Sequence, residues 1–256
     1  HMKTDLRIGA LISGGGTNLQ AVIDGCENET ISGRVVFVGS DNPQAKGLER
    51  AKRHGLPSFV VDYGAILRAY RRDPSGAALP QDFDLQDIKS KCRLFPPGTD
   101  PERVRRFLET RAMAEAALIE AMTPYPYDLL ILAGFMRTLS PYFIDRVNTD
   151  RTLPRIMNIH PALLPSFPGV DGYGDTFHYG CKVGGCTVHF IDYGEDTGPI
   201  IGQRAFPIAP GDNLETVKKN GLKEEWRLYP HCIELFAQRK LKVVEGERRR
   251  IVAITP

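Results

Sequence analysis

Hydrophobic residues along this chain fall into two kinds of segment that alternate from the start. Short runs rich in β-branched residues are separated by longer stretches in which apolar residues recur with helical spacing. The runs predict strands at residues 7–12, 35–39, 58–61, 129–132, 155–158 and 187–191. The stretch at 213–238 predicts a C-terminal helix. This alternation predicts an α/β fold, in which helices cover both faces of a mostly parallel, twisted sheet.

Two segments depart from the alternation. Residues 62–100 mix charged residues with prolines and glycines and show no sustained period, so we interpret them as an insertion on the surface. The tail at 246–256 contains three consecutive arginines and then a short apolar run, which predicts a final edge strand. A basic run of this kind indicates a solvated face more often than a binding patch. His1 and Met2 are interpreted as a cloning remnant.

Composition narrows the class of protein. The chain has 256 residues, enough to bury a sizeable core, and its 42% hydrophobic and 25% charged residues exclude the disordered and fibrous classes. Because 33 basic residues face 31 acidic ones, the net charge is only +2. That balance argues against nucleic acid or an anionic membrane as a partner.

The cysteines and the apolar runs indicate the cellular compartment of the protein. Five scattered cysteines show no paired-ligand spacing, which argues against a disulfide framework and against a zinc site. No signal segment opens the sequence, and the clearest apolar run, at 129–136, is too short to cross a bilayer. These features predict a cytoplasmic protein without a metal.

A glycine run follows the first predicted strand. Residues 13–20 read SGGGTNLQ and precede an apolar helical pattern. Glycines let backbone N–H groups close on an anion, and a helix N-terminus adds a favourable dipole, so a phosphate is the natural occupant. Thr17 and Gln20 have the spacing of a capping box, which predicts a helix start there. A purely structural turn is the alternative, since the spacing matches neither the dinucleotide fingerprint nor the P-loop.

Candidate chemistry lies in two later segments. Residues 155–168 read RIMNIHPALLPSFP, and strand alternation places Asn158 and His160 on one side at the strand's carboxyl end. Residues 187–198 read TVHFIDYGEDTG, a second strand followed by a loop that carries Asp196. An amide donor, an imidazole and a carboxylate together are suited to acyl transfer.

Structural interpretations compete with this one. A histidine at a strand end is more often a satisfied structural residue, and His189 and His231 are assigned that role by default. Asp196 precedes Thr197, Gly198 and Pro199 and has the context of a turn residue. Only the conjunction of the three groups favours the functional interpretation.

Five ordered motifs carry a resemblance to a known family. They are SGGGTNLQ, LILAGFMRTLSP, MNIHPALLPSFPG, GCTVHFIDYGEDTGPII and LYP. Together they resemble phosphoribosylglycinamide formyltransferase, a folate-dependent enzyme of purine synthesis, over nearly the whole chain except the insertion and the tail. The resemblance implies a Rossmann-like formyltransferase fold, 10-formyltetrahydrofolate as co-substrate, small-molecule partners, no metal, and a monomer or homodimer.

The resemblance also implies a division of the chain. A single formyltransferase domain would span residues 1–256, with the ribonucleotide side at about 3–125 and the folate and catalytic side at about 126–245. The surface insertion at about 62–100 would belong to the first half, and 246–256 would form the basic tail.

Site residues follow from the same motifs, position by position. The implied catalytic residues are Asn158, His160 and Asp196. The implied ribonucleotide contacts are Gly15, Gly16, Thr17, Asn18 and Glu225. The implied folate contacts are Arg111, Met136, Arg137, Thr138, Leu139, Asn158, Asp192 and Asp196. In the implied reaction an amine attacks the formyl carbon, Asn158 and a protonated His160 stabilise the oxyanion, and Asp196 favours the imidazolium.

Two departures from the family pattern bear on this assignment. After Gly169 the family usually continues with a histidine-containing helical stretch, whereas this chain reads VDGYGDTFHYG, which leaves the substrate contacts there open. The extra segment before Arg111 has no counterpart in compact members, so Arg111 is the least secure position.

Other functions stay open at this point. A formyltetrahydrofolate hydrolase usually carries an N-terminal regulatory domain and a second histidine where this chain has Pro161, and here the first strand begins at about residue 7. A transfer-RNA formyltransferase would need a C-terminal nucleic-acid domain. A non-catalytic nucleotide-binding module would retain the phosphate loop alone, and the presence of the full catalytic set speaks against it.

Overall fold

The computed structural model describes residues 5–256, so His1 and Met2 lie outside the described residues. Within residues 5–256, seven strands form one sheet: β1 (Leu6–Ile12), β2 (Gly33–Ser40), β3 (Ser58–Val60), β4 (Leu129–Leu132), β5 (Ile156–His160), β6 (Val183–Phe190) and β7 (Ile200–Pro207). Their order across the sheet is β3-β2-β1-β4-β5-β6-β7. The first five strands in this order pair in parallel, and β6 pairs antiparallel with both β5 and β7. The predicted α/β class with a mostly parallel sheet is confirmed.

Helices cover both faces of the sheet. They are α1 (Thr17–Glu27), α2 (Gly47–Arg53), α3 (Tyr63–Arg72), α4 (Leu85–Lys91), α5 (Pro101–Met122), α6 (Pro141–Val147), α7 (Gly172–Tyr179) and α8 (Leu214–Ala237). Successive side chains of a strand point to opposite faces, so β1 contributes to two cores. Ile8, Ala10 and Ile12 pack on the side of α1 and α8, and Leu11 packs on the side of α5 and α6.

Strand boundaries differ from the prediction where side chains give little signal. The strand β6 begins at Val183, four residues before the predicted start, and passes through Gly184 and Gly185. Glycine contributes no hydrophobic period, yet it is required here because a side chain at Gly185 would collide with Leu163. The strand β7 was not predicted, since this sheet edge exposes polar residues that interrupt the apolar run.

The segment at 62–100 contains regular structure that the sequence analysis missed. It forms α3, a 3-10 turn at Pro74–Gly76 and α4. Asp62 and Asp84 cap the two helices, each accepting a hydrogen bond from a backbone N–H three residues on. Ile88 of α4 packs with Leu108 of α5 in a small separate core. Helices of seven and ten residues contain too few turns to show a sustained period.

The tail forms an edge strand, as predicted. Arg250–Ile254 is β9, which pairs antiparallel with β8 (Leu241–Glu245) in a separate two-stranded sheet.

All five cysteines are free thiols. Within residues 5–256, no helix is long and apolar enough to span a membrane.

A buried carboxyl group ties α5 to α6. Glu115 is completely buried, and its Oε2 accepts a hydrogen bond of 2.7 Å from the N–H of Ser140, the N-cap of α6. Its Oε1 lies against Ser140 Oγ. Burial raises the pKa of Glu115 to about 8, although the hydrogen bonds from Ser140 oppose the shift. The group is therefore protonated in the folded protein at neutral pH.

Glu115→Gln is expected to flatten the pH dependence of stability. The carboxyl group loses its proton near its ordinary pKa of 4.5 in the unfolded chain and near 8 in the folded chain, so wild-type stability falls as pH rises through that window. Glutamine keeps the hydrogen-bonding geometry of the protonated carboxyl group but does not titrate. At pH values above this window the variant should therefore be more stable than wild type, by on the order of a few kcal/mol. Urea midpoints at about pH 5 and about pH 9 measure this difference.

Glu102→Gln is the matched control on the same helix. Its carboxylate is exposed and pairs with Arg105, so its removal should change stability little. If the free energy of unfolding changed with pH in the same way in wild type and in Glu115→Gln, this would contradict the assigned protonation of Glu115.

Candidate active site

A cleft of about 560 Å³ opens at the carboxyl ends of β1, β4 and β5. The chain order of the sheet reverses between β1 and β4, and ligands of open α/β sheets bind at such a switch point. The cleft walls come from the glycine loop after β1, residues 132–139 after β4, the end of β5, residues 169–173, the loop at 194–196 and α8. Segments far apart in sequence therefore meet at one place.

The glycine loop forms one wall of this cleft. Gly15, Gly16, Thr17 and Asn18 all line it. Gly16 has φ 69° and serves as the N-cap of α1, and a Cβ there would lie 3.2 Å from the Cα of Gly47. The first N–H groups of a helix have no intrahelical partner, so those of α1 are available to an anion.

The predicted capping box does not form. The helix starts at Thr17 as expected, but no side chain caps it, because Gly16 occupies the N-cap and Thr17 is the first helical residue. Gln20 donates instead to Asp24 Oδ1 at 2.8 Å and accepts from Arg50 Nη1 at 3.2 Å. Arg50 Nε also donates to the carbonyl of Gly15 at 2.7 Å, which anchors the loop to α2.

The three implied catalytic residues converge on the cleft. Asn158 and His160 come from β5, two residues apart as the strand period requires, and Asp196 comes from the loop after β6. His160 Nδ1 is 3.5 Å from Asp196 Oδ2. Both groups are largely buried, so their interaction is little screened by water.

The proline-rich turn after β5 orients two of these groups. His160 Nε2 lies 2.8 Å from the carbonyl of Phe167, and since a carbonyl only accepts, Nε2 carries a proton. That leaves Nδ1 facing Asp196. The N–H of Gly169 donates to Asp196 Oδ2 at 2.8 Å. Asp196 itself has φ 55°, a left-handed conformation that aspartate tolerates better than most residues.

His189 is a neighbour of this site, although the sequence analysis assigned it a structural role. It is fully buried and pairs in register with Asn158. Its Nδ1 donates to the carbonyl of Phe190, while Nε2 has no hydrogen-bond partner among residues 5–256 and lies 3.9 Å from Asp196 Oδ1. Burial lowers the pKa of His189, which favours the neutral ring. His231 is exposed on α8, away from the cleft.

The implied folate wall is only partly in the cleft. Met136, Arg137, Thr138 and Leu139 line it. Arg137 Nε donates to Asp41 Oδ2 at 2.7 Å, so a buried carboxylate compensates the charge of the guanidinium. The structure places Arg111 behind this wall, where Nη1 donates to the carbonyl of Thr138 at 2.6 Å and the guanidinium lies 4.5 Å from the centre of the Phe107 ring.

Asp192 also lies behind its loop. It is not among the cleft-lining residues, and its Oδ1 accepts hydrogen bonds from the N–H of Gly194 and from Thr197 Oγ1. These bonds tie the two ends of the loop that carries Asp196. Asp192 therefore shapes the loop, by the bond to the backbone two residues on that is typical of aspartate in a turn.

The ribonucleotide side contains Glu225, a buried carboxylate on α8. Asn18 Nδ2 donates to Glu225 Oε1 at 2.9 Å, which joins the glycine loop to α8. Tyr173 and Lys218 also line this side, and the sequence analysis named neither as a site residue. Residues 5–256 contain no cluster of three or more His, Cys, Asp or Glu side chains arranged to hold a metal ion.

Comparisons with known proteins agree with this geometry. A family model described as formyl transferase matches residues 6–233. Phosphoribosylglycinamide formyltransferase of Bacillus subtilis is 32% identical over 222 residues, which cover 87% of this chain and 90% of that protein. The crystal structure of glycinamide ribonucleotide transformylase 1 from Symbiobacterium toebii has a TM-score of 0.72 and 38% identity, covering 99% of this chain and 95% of that one.

A larger relative matches as well. The trifunctional purine biosynthetic protein adenosine-3 of Bos taurus is 30% identical over 249 residues, which cover 97% of this chain but 20% of that protein, so the chain spans about a fifth of its length.

The match to the family model covers most of the chain and the fold agrees, so the resemblance seen in the motifs is confirmed. The chain belongs to the formyl transferase family.

Proposed function

We propose that this protein transfers the formyl group of 10-formyltetrahydrofolate to the amine of 5-phosphoribosylglycinamide, a step of de novo purine synthesis. The observation that carries the proposal is the convergence of Asn158, His160 and Asp196 beside the glycine loop, in one cleft. A relative 32% identical over most of the chain bears the name of this activity, which supports the same conclusion.

The cleft provides separate places for the two substrates. The glycine loop and the N-terminus of α1 would hold the phosphate of the ribonucleotide. Residues 136–139, in the segment that follows β4, would form the wall against the folate. This arrangement brings an amine and a formyl carbon together at Asn158 and His160, and positioning of this kind supplies a large part of the rate enhancement.

The chemistry assigned to each residue follows from its hydrogen bonds. As the amine attacks the formyl carbon, charge develops on the formyl oxygen, and the side-chain amide of Asn158, which lines the cleft, would donate to it. His160 Nε2 is occupied by the Phe167 carbonyl, so Nδ1 and Asp196 are the groups available to move a proton. They would take the proton of the attacking amine as the new C–N bond forms, and return it to N10 of the folate as the old bond breaks.

A single assay tests the proposal. The protein is incubated with 10-formyltetrahydrofolate, with and without 5-phosphoribosylglycinamide, and the deformylated folate is followed by absorbance. Product only with the ribonucleotide supports transfer. Product without it would indicate a hydrolase that releases formate, and no product in either case would indicate a non-catalytic nucleotide-binding module.

A further inference from the structure

Tyr173 occupies the stretch in which this chain departs from the family pattern. It lies in the first turn of α7, only 5% exposed, at the edge of the cleft next to the ribonucleotide side. Its ring packs edge-on against Phe206, with the ring centres 6.1 Å apart. On the facing helix α8 the position opposite the ring is Gly221, where any side chain would collide with it. The fold therefore holds a large aromatic ring in one orientation.

The Tyr173 hydroxyl completes the coordination of Glu225. Tyr173 Oη donates to Glu225 Oε2 at 2.6 Å, and Asn18 Nδ2 donates to Oε1 at 2.9 Å. Each carboxylate oxygen thus has one donor from the protein. Three helices that are distant in sequence, α1, α7 and α8, supply the three side chains. All three side chains are buried, where a hydrogen bond to a charged group is strong.

We propose that Tyr173 is a positioning residue that holds the Glu225 carboxylate in one orientation and aims it at the donor groups of the amine substrate. The inference rests on the proposed function, because it assigns a role within the same cleft. It also assigns a substrate-side role within the stretch VDGYGDTFHYG, where this chain departs from the family pattern.

The chemical class of the recognised group follows from the acceptors that remain. A carboxylate oxygen can accept more than one hydrogen bond, so Glu225 keeps capacity on both oxygens after binding Tyr173 and Asn18. Asn18 Oδ1 is a further buried acceptor with no partner within residues 5–256. Acceptors grouped in this way match a ligand part with two or more N–H or O–H donors, such as an amine or hydroxyl groups of the ribonucleotide.

The protonation of Glu225 links this arrangement to pH. Burial raises the pKa of Glu225, and the hydrogen bonds from Tyr173 and Asn18 oppose that shift. Loss of the Tyr173 hydroxyl would raise this pKa further, so the carboxylate would take up a proton at a higher pH and lose acceptor capacity. The ionisable side chains around Glu225 are Tyr173 on α7, His160 on β5, Cys186 on β6, and Lys218 and Glu224 on α8 itself.

The test is Tyr173→Phe, which removes the hydroxyl and keeps the ring. We expect the KM for 5-phosphoribosylglycinamide to rise about tenfold while kcat changes by less than about threefold, because the lost hydrogen bond acts on binding. The acid limb of kcat/KM for this substrate should move to higher pH. The KM for 10-formyltetrahydrofolate should stay at the wild-type value, since Tyr173 lies on the ribonucleotide side.

Two further variants sharpen the test. Tyr179→Phe removes a hydroxyl from the same helix at an exposed position outside the cleft, and it should match wild type in every parameter. Tyr173→His restores a donor in place of the phenol and should recover part of the lost affinity. Recovery by histidine but not by phenylalanine would assign the effect to the donor rather than to the volume of the ring.

The outcomes separate this inference from the function on which it rests. Wild-type activity together with an unchanged KM and pH profile in Tyr173→Phe would overturn the role of Tyr173 alone. A rise of both KM values together with a similar fall in kcat and lower thermal stability would show that Tyr173 is a packing residue. That result would also overturn the positioning role. A wild-type protein that forms no product would overturn the function, and with it this inference.

Discussion

Asp196→Asn is expected to lower kcat by roughly two to three orders of magnitude, the loss that follows when a preorganised group at the reacting centre is removed. The side chain keeps its size, and the hydrogen bond from the Gly169 N–H can still be accepted by the amide oxygen. What disappears is the negative charge 3.5 Å from His160 Nδ1 and the ability to take a proton. The defect should therefore appear in turnover, and steady-state kinetics with both substrates measures it.

The same reasoning applies to the partner of Asp196. His160→Ala removes the imidazole that lies between Asp196 and the Phe167 carbonyl, and we expect a loss of similar size. Asp175→Asn is the control, because Asp175 is exposed on α7 and does not line the cleft. Near-normal kcat in both Asp196→Asn and His160→Ala would refute the assignment of these residues to proton transfer.

Gly16→Val is expected to raise the KM for 5-phosphoribosylglycinamide by roughly ten- to a hundredfold, since a β-branched residue at φ 69° strains the loop by about 1–3 kcal/mol. Its Cβ would also meet the backbone of Gly47 at 3.2 Å, which pushes the loop away from α2. Both effects displace the N–H groups that would hold the phosphate. The KM for 10-formyltetrahydrofolate should change much less, because residues 136–139 lie on a different wall.

Gly14→Ala provides the comparison within the same loop. A Cβ at Gly14 has no heavy atom within 4 Å, and its backbone is not in the left-handed region. This variant should keep the wild-type KM. An unchanged ribonucleotide KM in Gly16→Val, with the protein folded by thermal unfolding, would show that the glycine loop is only a turn.

Much of the candidate site could be predicted from the sequence because its parts are contiguous. The glycine loop, the pair Asn158 and His160, and the loop that carries Asp196 each lie within one short segment. Their order relative to the strands places them at the carboxyl edge of a parallel sheet. The structure brings these three segments together, as the pattern indicated.

Other features depend on pairs that no local pattern connects. Tyr173 and Glu225 are 52 positions apart, and Asn18 and Glu225 are 207 positions apart. His189 lies beside Asp196 because β6 pairs antiparallel with β5, and the sequence pattern predicted both strands but not their pairing. Arg111 matches the family position in sequence, yet its guanidinium bonds to the Thr138 carbonyl rather than reaching the cleft.

The sequence by itself determined the alternation of strands and helices, the glycine loop and the candidate catalytic groups, because these are encoded in residues close along the chain, where side-chain period and backbone freedom act directly. Only the tertiary structure decided which buried polar groups satisfy one another: Glu115 with Ser140, and Glu225 with Tyr173 and Asn18. Burial makes an unpaired polar group costly, and its partner is set by the packing of distant segments.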